Sequence, residues 1–342
     1  MQKLRNETYD LMKGFALLVM MYSHLALPNK SIEQSIIYSF HMPLFFILAG
    51  VFARDITQIP SFKQYTMKNA KRLLLPYIVT MIILCTWGGI RSFFKDDISY
   101  FMLQIIRALW ASSDGVQTQW GLIYAGPMWF LIALFVVREL FYGIQYVCAH
   151  INKYGDECIL GISIALSVLS VIIHPYLPSL PFCIMQAITA LAFYAIGWYV
   201  HRHPMPWWIY VICMIVWPVA IIYGGIELSA ASIENYPISF VGACGGTYVI
   251  YLLCKAWSKV LSSVNTKNIK HNTSIIISPL AWCGMYSLPI LCMHELEMFS
   301  DVYYSLMCRI PVRCERAWGG GVIAILFAWV ILKIPYLKDV YK

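Results

Sequence analysis

Charge is scarce in this chain. Of its 342 residues only 12% are Asp, Glu, Lys or Arg, against 60% hydrophobic, and a soluble domain carries about twice that charged share. An ordinary water-soluble enzyme is thereby excluded. Alternating apolar and polar residues are also lacking. The apolar runs are continuous, which argues against a transmembrane barrel. Cysteine is present but without any CxxC pair. The eleven Cys are scattered, mostly inside apolar runs, where they behave as small buried hydrophobes. Cys308 and Cys314, in a polar connection, form a disulfide only if that connection is extracytoplasmic. Long hydrophilic segments are missing too: the longest, residues 258–274, is too short to fold alone. The expectation is a single transmembrane unit over residues 1–342 with no soluble domain.

What is present is a series of apolar runs near the ~20 residues that span a bilayer as a helix. The fold class expected is an all-α integral membrane protein. About ten transmembrane helices are expected near residues 11–28, 35–53, 73–93, 126–147, 158–174, 183–200, 207–225, 238–257, 277–299 and 317–334. With both termini inside (N-in/C-in), 18 of the 25 Lys and Arg fall in the cytoplasmic pieces, the bias that sets membrane topology. The net charge of +8 is therefore read as a topology signal, with no nucleic-acid partner. Segment 98–111 mixes Tyr100, Phe101, Arg107 and Trp110 and reads as an interfacial helix. The first apolar run is interrupted by His24 and is followed by no small-residue cleavage site, so it reads as an uncleaved first helix.

That first run carries polar groups where a membrane helix should not. Lys13 lies near its start and His24 well inside it, eleven residues on, or ~16 Å along a helix axis. Intramembrane ionisable residues are expensive, and functional by default. Two other histidines fall at similar depth. Counting from span ends, His24, His41 and His294 all come within about 10 Å of the outer membrane edge. Any one of them could instead serve only as an interhelical hydrogen-bonding group. Close to His294 stand Glu295, Glu297 and Asp301, carboxylates able to orient an imidazole. On the inner side, residues 62–77 (FKQYTMKNAKRLLLPY) carry Lys63, Lys68, Lys71 and Arg72. They suit either anionic lipid headgroups or the phosphates of a bound ligand.

Several stretches bear a resemblance to one family. A basic residue, ten residues and then a His, followed by FHMPLFFILAG (residues 40–50), RLLLPY (72–77), GPMWFLIALF (126–135) and SLPILCMHELE (287–297) resemble the membrane-bound acyltransferase-3 family. Lys13, where that family commonly has Arg, resembles its fucose-4-O-acetylase-like branch. The resemblance implies an acyltransferase-3-like bundle in a bacterial inner membrane. It also implies an O-acetyltransferase that takes acetyl-CoA as co-substrate, with no metal, and an extracytoplasmic or lipid-linked glycan as acceptor. Its implied roles are catalysis for His24, with His294, His41 and Glu297 in support, and donor binding for Lys13, Arg72, Lys71 and Lys68. Acceptor binding falls to Trp129 and Tyr286. A neutral imidazole can take the proton of an attacking hydroxyl and return it to the leaving thiolate, or be acylated itself; both routes stay open. A polytopic transporter or glycan exporter is the rival reading, since buried His, Lys and acids also suit a proton-coupled carrier. A membrane cytochrome with two His ligands and a binding module without activity complete the alternatives.

Overall fold

A computed structural model of the chain describes residues 6–26, 31–59, 61–150, 155–270, 278–299 and 313–341. They form a helical bundle. Its helices are α1 (Glu7–Ala26), α2 (Ile32–Tyr38), α3 (His41–Val51), α4 (Phe62–Lys95), α5 (Ser99–Trp110), α6 (Trp129–His150) and α7 (Asp156–Ile173). They continue as α8 (Ile184–Arg202), α9 (Trp207–Tyr223), α10 (Tyr236–Lys270), α11 (Pro279–Met285), α12 (Ser287–Phe299), α13 (Arg313–Ile331) and α14 (Pro335–Tyr341). In its described residues each expected span overlaps one of these helices or a consecutive pair, which does not by itself make ten membrane crossings. Among the described residues six helical segments are long and apolar enough to cross a membrane, or seven if the bent pair of residues 321–331 and 335–341 counts as one. Helix α9, apolar throughout, is shorter at 17 residues. The chain is thus a multi-pass, helical membrane protein.

Two short hairpins interrupt the otherwise all-helical reading. Strands β1 (Val116–Thr118) and β2 (Gly121–Ile123) pair antiparallel, as do β3 (Gly225–Glu227) and β4 (Ser232–Glu234). Both lie in helix connections, where backbone without a helix partner must pair with something. The Ser113 hydroxyl donates to the Ser229 carbonyl, so the connections that carry the hairpins touch at one end of the bundle.

Local chemistry explains where the helices start and bend. Ser31 caps α2, its hydroxyl accepting from the Gln34 backbone N–H at 3.1 Å; Pro43 sits in the first turn of α3, where its missing N–H leaves no bond unmade. Inside α4, Pro76 removes the N–H that the Arg72 carbonyl would use, and the Thr80 hydroxyl donates back to the Pro76 carbonyl at 2.8 Å. At 34 residues, α4 is about 51 Å long, well beyond the ~30 Å hydrocarbon core. Its polar first turns therefore project past one face.

Glycines let helices approach closely. A Cβ on Gly14 of α1 would collide with the Leu280 carbonyl, and one on Gly284 of α11 with the Asp10 carbonyl. Gly50 of α3 and Gly197 of α8 make the same reciprocal contact with the Tyr194 and Ile47 carbonyls. Small residues at crossings are how membrane helices gain packing without a hydrophobic drive. The buried core runs through Phe46, Leu131, Ala133, Phe141, Phe193 and Ile290. Large apolar side chains such as Phe93, Phe94, Trp207, Ile222 and Phe327 remain exposed, as expected of surface that meets lipid rather than water.

Candidate active site

Asp10, Lys13 and His24 of α1 line one cavity. It has a volume of about 730 Å³ and runs along α1 past Asp10, Lys13, Leu17, Met20 and His24. Its ends differ in chemistry. At the Lys13 end, Arg72 of α4 and Arg138 of α6 also line it. Lys13 Nζ pairs with Asp10 Oδ1 at 3.0 Å, three residues back on the same helix. Arg138 donates to Asn69 Oδ1 at 3.3 Å, and Asn69 in turn donates to Glu139 Oε1 at 2.9 Å. Asn69 is three residues before Arg72 on α4, one helical turn, so the two guanidinium-bearing residues sit on neighbouring packed helices. Lys13, Arg72 and Arg138, from three helices, thus all line the cavity.

The middle of the cavity is apolar, walled by Leu17, Met20, Phe45 and Leu134. At the far end stand His24, His41, Tyr38, Trp129 and Glu227. His294 is fully buried and lies behind His24, with ring centroids 5.9 Å apart. His41 is buried, and its Nδ1–H donates to the Ile37 carbonyl at 2.8 Å. A neutral His41 ring therefore keeps its Nε2 lone pair. Tyr38 packs on His41, 5.0 Å between ring centroids. Trp129, 6% exposed, opens α6 and meets Phe46 and Phe130. Tyr286 lines the same cavity.

The expected site residues thus divide. His24, His41, Lys13, Arg72, Trp129 and Tyr286 share one cavity, and His294 adjoins it. Lys68 and Lys71 do not line it. With Lys63 they line a separate groove on the outer surface of α4. Adjacent helical residues differ by about 100° in direction, so Lys71 and Arg72 face different ways. The backbone of Glu297 lies in α12, but its side chain is outside the described residues, as are Asp301, Cys308 and the side chain of Cys314.

Sequence reasoning missed a buried ion pair. Arg107 of α5 is 3% exposed and bonds to Glu295 of α12, itself fully buried. Glu295 also accepts from the Met128 backbone N–H at 3.2 Å, and Gln104 accepts from Arg107 at 3.4 Å. The helix at residues 99–110 is where the sequence put an interfacial one, but its Arg107 turns inward. A basic residue in a short amphipathic segment resembles a surface anchor until its acidic partner, 188 positions away, is known. Glu295 therefore serves Arg107 and the start of α6, and points away from its neighbour His294. Along the chain Arg138 is one of the basic residues counted for topology, and Glu227 stands in a connection without a motif.

Among the described residues, no group of three or more His, Cys, Asp or Glu side chains converges as a metal site. Compared with known families, residues 6–333 match the family described as acyltransferase domain, the acyltransferase-3 type. No curated protein and no solved structure matches the chain.

Proposed function

The chain belongs to the membrane acyltransferase-3 family, and on that premise we propose that it is an O-acetyltransferase of the fucose-4-O-acetylase-like kind. It takes acetyl from cytoplasmic acetyl-CoA and delivers it to a hydroxyl of an extracytoplasmic or lipid-linked glycan. It sits in the bacterial inner membrane as one unit of about ten spans, both termini inside. One observation carries the reading: a single cavity joins a cluster of three cations to His24, over a helical rise of ~16 Å. A phosphate-bearing donor held at the cationic end can extend a long arm through the apolar middle and present its thioester near the imidazole.

Each residue then has a task. Lys13, Arg72 and Arg138 offer charge-assisted donors to diphosphate and ribose phosphate; Lys68 and Lys71, outside the cavity, suit parts of the donor that stay in solution, or lipid. His24 accepts the acceptor hydroxyl's proton as its oxygen attacks the thioester carbon. The C–S bond breaks, and the proton passes from His24 to the departing thiolate. Transfer through an N-acetylated His24 remains the second route. His41, Trp129 and Tyr286 are near enough to the cavity to donate to the tetrahedral oxyanion, and the two aromatic groups suit a sugar face. His294, behind His24, backs the base, and Glu297 is its candidate orienting carboxylate.

The test is transfer from radiolabelled acetyl-CoA by the purified full-length protein, beside His24→Ala. Label moved to glycan by the wild type and lost in the variant is the expected result. A well-folded protein that neither binds nor hydrolyses acetyl-CoA overturns the reading and favours a carrier.

A further inference from the structure

Part of the cavity wall comes from a segment that the catalytic reading does not use. Residues 225–234 form the β3–β4 hairpin, in register Gly225 with Glu234 and Glu227 with Ser232. It is anchored on every side. Its short linking turn is fixed where the Ser229 carbonyl accepts from Ser113 and, at 3.2 Å, from the fully buried Gln186 amide. The base is fixed by Ser239, whose hydroxyl accepts from Gly225 N–H at 3.2 Å and donates to the Glu234 carbonyl. Ile226, Leu228 and Ile233 are buried beneath it. Helix α2, which carries Tyr38, packs on β3. Glu227 stays exposed on this fixed frame and lines the cavity with Tyr38 and Ser229.

The charge of the cavity is therefore split. Its described lining contains two carboxylates, Asp10 and Glu227. Asp10 is paired with Lys13, and all three lining cations belong to the Lys13 end. Glu227 stands at the other end, among imidazole, phenol and indole groups. A carboxylate so placed accepts hydrogen bonds from hydroxyl pairs or from an ammonium group and repels a second anion brought beside it.

We propose that Glu227, on the β3–β4 hairpin, forms the acceptor subsite and selects an uncharged or amino-bearing sugar ring over an acidic one. This rests on the acyltransferase reading for its role in transfer. The carboxylate accepts from two neighbouring ring hydroxyls, with Tyr38 and Trp129 beside the ring. No bond is made or broken to Glu227.

Binding is measured directly, by tryptophan fluorescence of the full-length protein in detergent. The probes are the methyl glycosides of glucose, galactose, N-acetylglucosamine, glucosamine and glucuronic acid, with acetyl-CoA binding as the internal reference. The wild type should bind at least one neutral or amino glycoside, and bind the glucuronide at least 10-fold more weakly than the glucoside. Glu227→Gln should weaken the preferred glycoside about 10-fold, narrow the gap to the glucuronide, and shift acetyl-CoA affinity less than twofold. Equal binding of glucoside and glucuronide overturns the proposal, as does an unchanged affinity in Glu227→Gln, or no binding of any probe. If the glycosides behave as expected but acetyl-CoA is neither bound nor hydrolysed, the subsite stands and the acyltransferase reading fails.

Discussion

Lys13 and His24 share a helix and a cavity, yet the two ends they mark are built in different ways. At the Lys13 end the charges stay partly accessible and are steadied by neighbours: Asp10 beside Lys13, Asn69 and Glu139 behind Arg138. At the His24 end the lining holds no Lys or Arg. Its strong ion pair, Arg107 with Glu295, is sunk into the protein beside the cavity and closed off by further hydrogen bonds. One end presents cations, held by these neighbours, to an anion. The other buries an Arg–Glu pair in holding α5, α12 and the start of α6 together, and leaves Glu227 as its lining carboxylate among imidazole and aromatic groups. This is the division expected where an anionic donor and an acceptor without negative charge occupy one cavity.

The comparison breaks most completely at His24. His24→Ala should lower acetyl transfer by about 100-fold to 10,000-fold, the range that a positioned general base contributes, while acetyl-CoA affinity changes little. Single-turnover transfer and equilibrium binding separate the two effects. A loss of donor affinity as large as the loss of rate would mean that His24 belongs to the donor site instead.

The buried pair is the next largest effect, on stability. Glu295→Gln leaves the Arg107 guanidinium without its charge partner, and breaking such a pair from one side costs about 3–5 kcal/mol. The variant should lose monodispersity at a clearly lower temperature in detergent. Replacing both partners by apolar residues of similar volume, Arg107→Met with Glu295→Met, should restore part of the loss, because no lone buried charge then remains. A double variant as unstable as the single would show that the hydrogen bonds to Met128 and Gln104 matter more than the charges.

Much of the cavity was legible in the sequence because its signals are local. Lys13 and His24 lie on one continuous helix, so their separation follows from helical rise alone. Arg72 is carried by an apolar run that fixes its depth. The nearness of His294 to His24 was only a shared depth until the packing of α1 and α12 brought the rings within 5.9 Å. Arg107–Glu295 was illegible for a related reason. Its members are far apart in the chain, and each alone resembles a different feature: a snorkelling anchor and a ring-orienting acid. The hairpins were hidden because three-residue strands in a connection leave no periodic trace. What a single helix dictates can be read from its residues, whereas what two helices share needs their packing.

A smaller change sharpens the cationic end. Lys13→Ala should raise the KM for acetyl-CoA about 10-fold, the scale of one charge-assisted contact, with little effect on acceptor KM. Lys13→Arg should keep or tighten donor binding, because guanidinium can meet phosphate with two parallel bonds. It must still leave Asp10, so the gain is limited by the existing pair. Equal effects of Lys13→Ala on donor and acceptor would remove the distinction between the ends.

The smallest expected effect is the most discriminating within the basic cluster of α4. Lys68, Lys71 and Arg72 look equivalent along the chain, but Arg72 lines the cavity and the two lysines line a groove outside it. If the cavity alone holds the donor, Lys68→Ala with Lys71→Ala should change donor KM less than about twofold, the residual of a weak, screened field effect, and Arg72→Ala about 10-fold. The same double variant should instead weaken the protein's hold on anionic lipid, about 1 kcal/mol per lysine, measurable as reduced co-purification of acidic lipid. A donor KM that rises as steeply for the lysine pair as for Arg72 would mean that the coenzyme's phosphates extend out of the cavity and across the helix surface. The cationic end would then be a surface continuous with the membrane face rather than the mouth of an enclosed site. Its contrast with the His24 end, where Glu227 is the lining carboxylate, would still be one of charge.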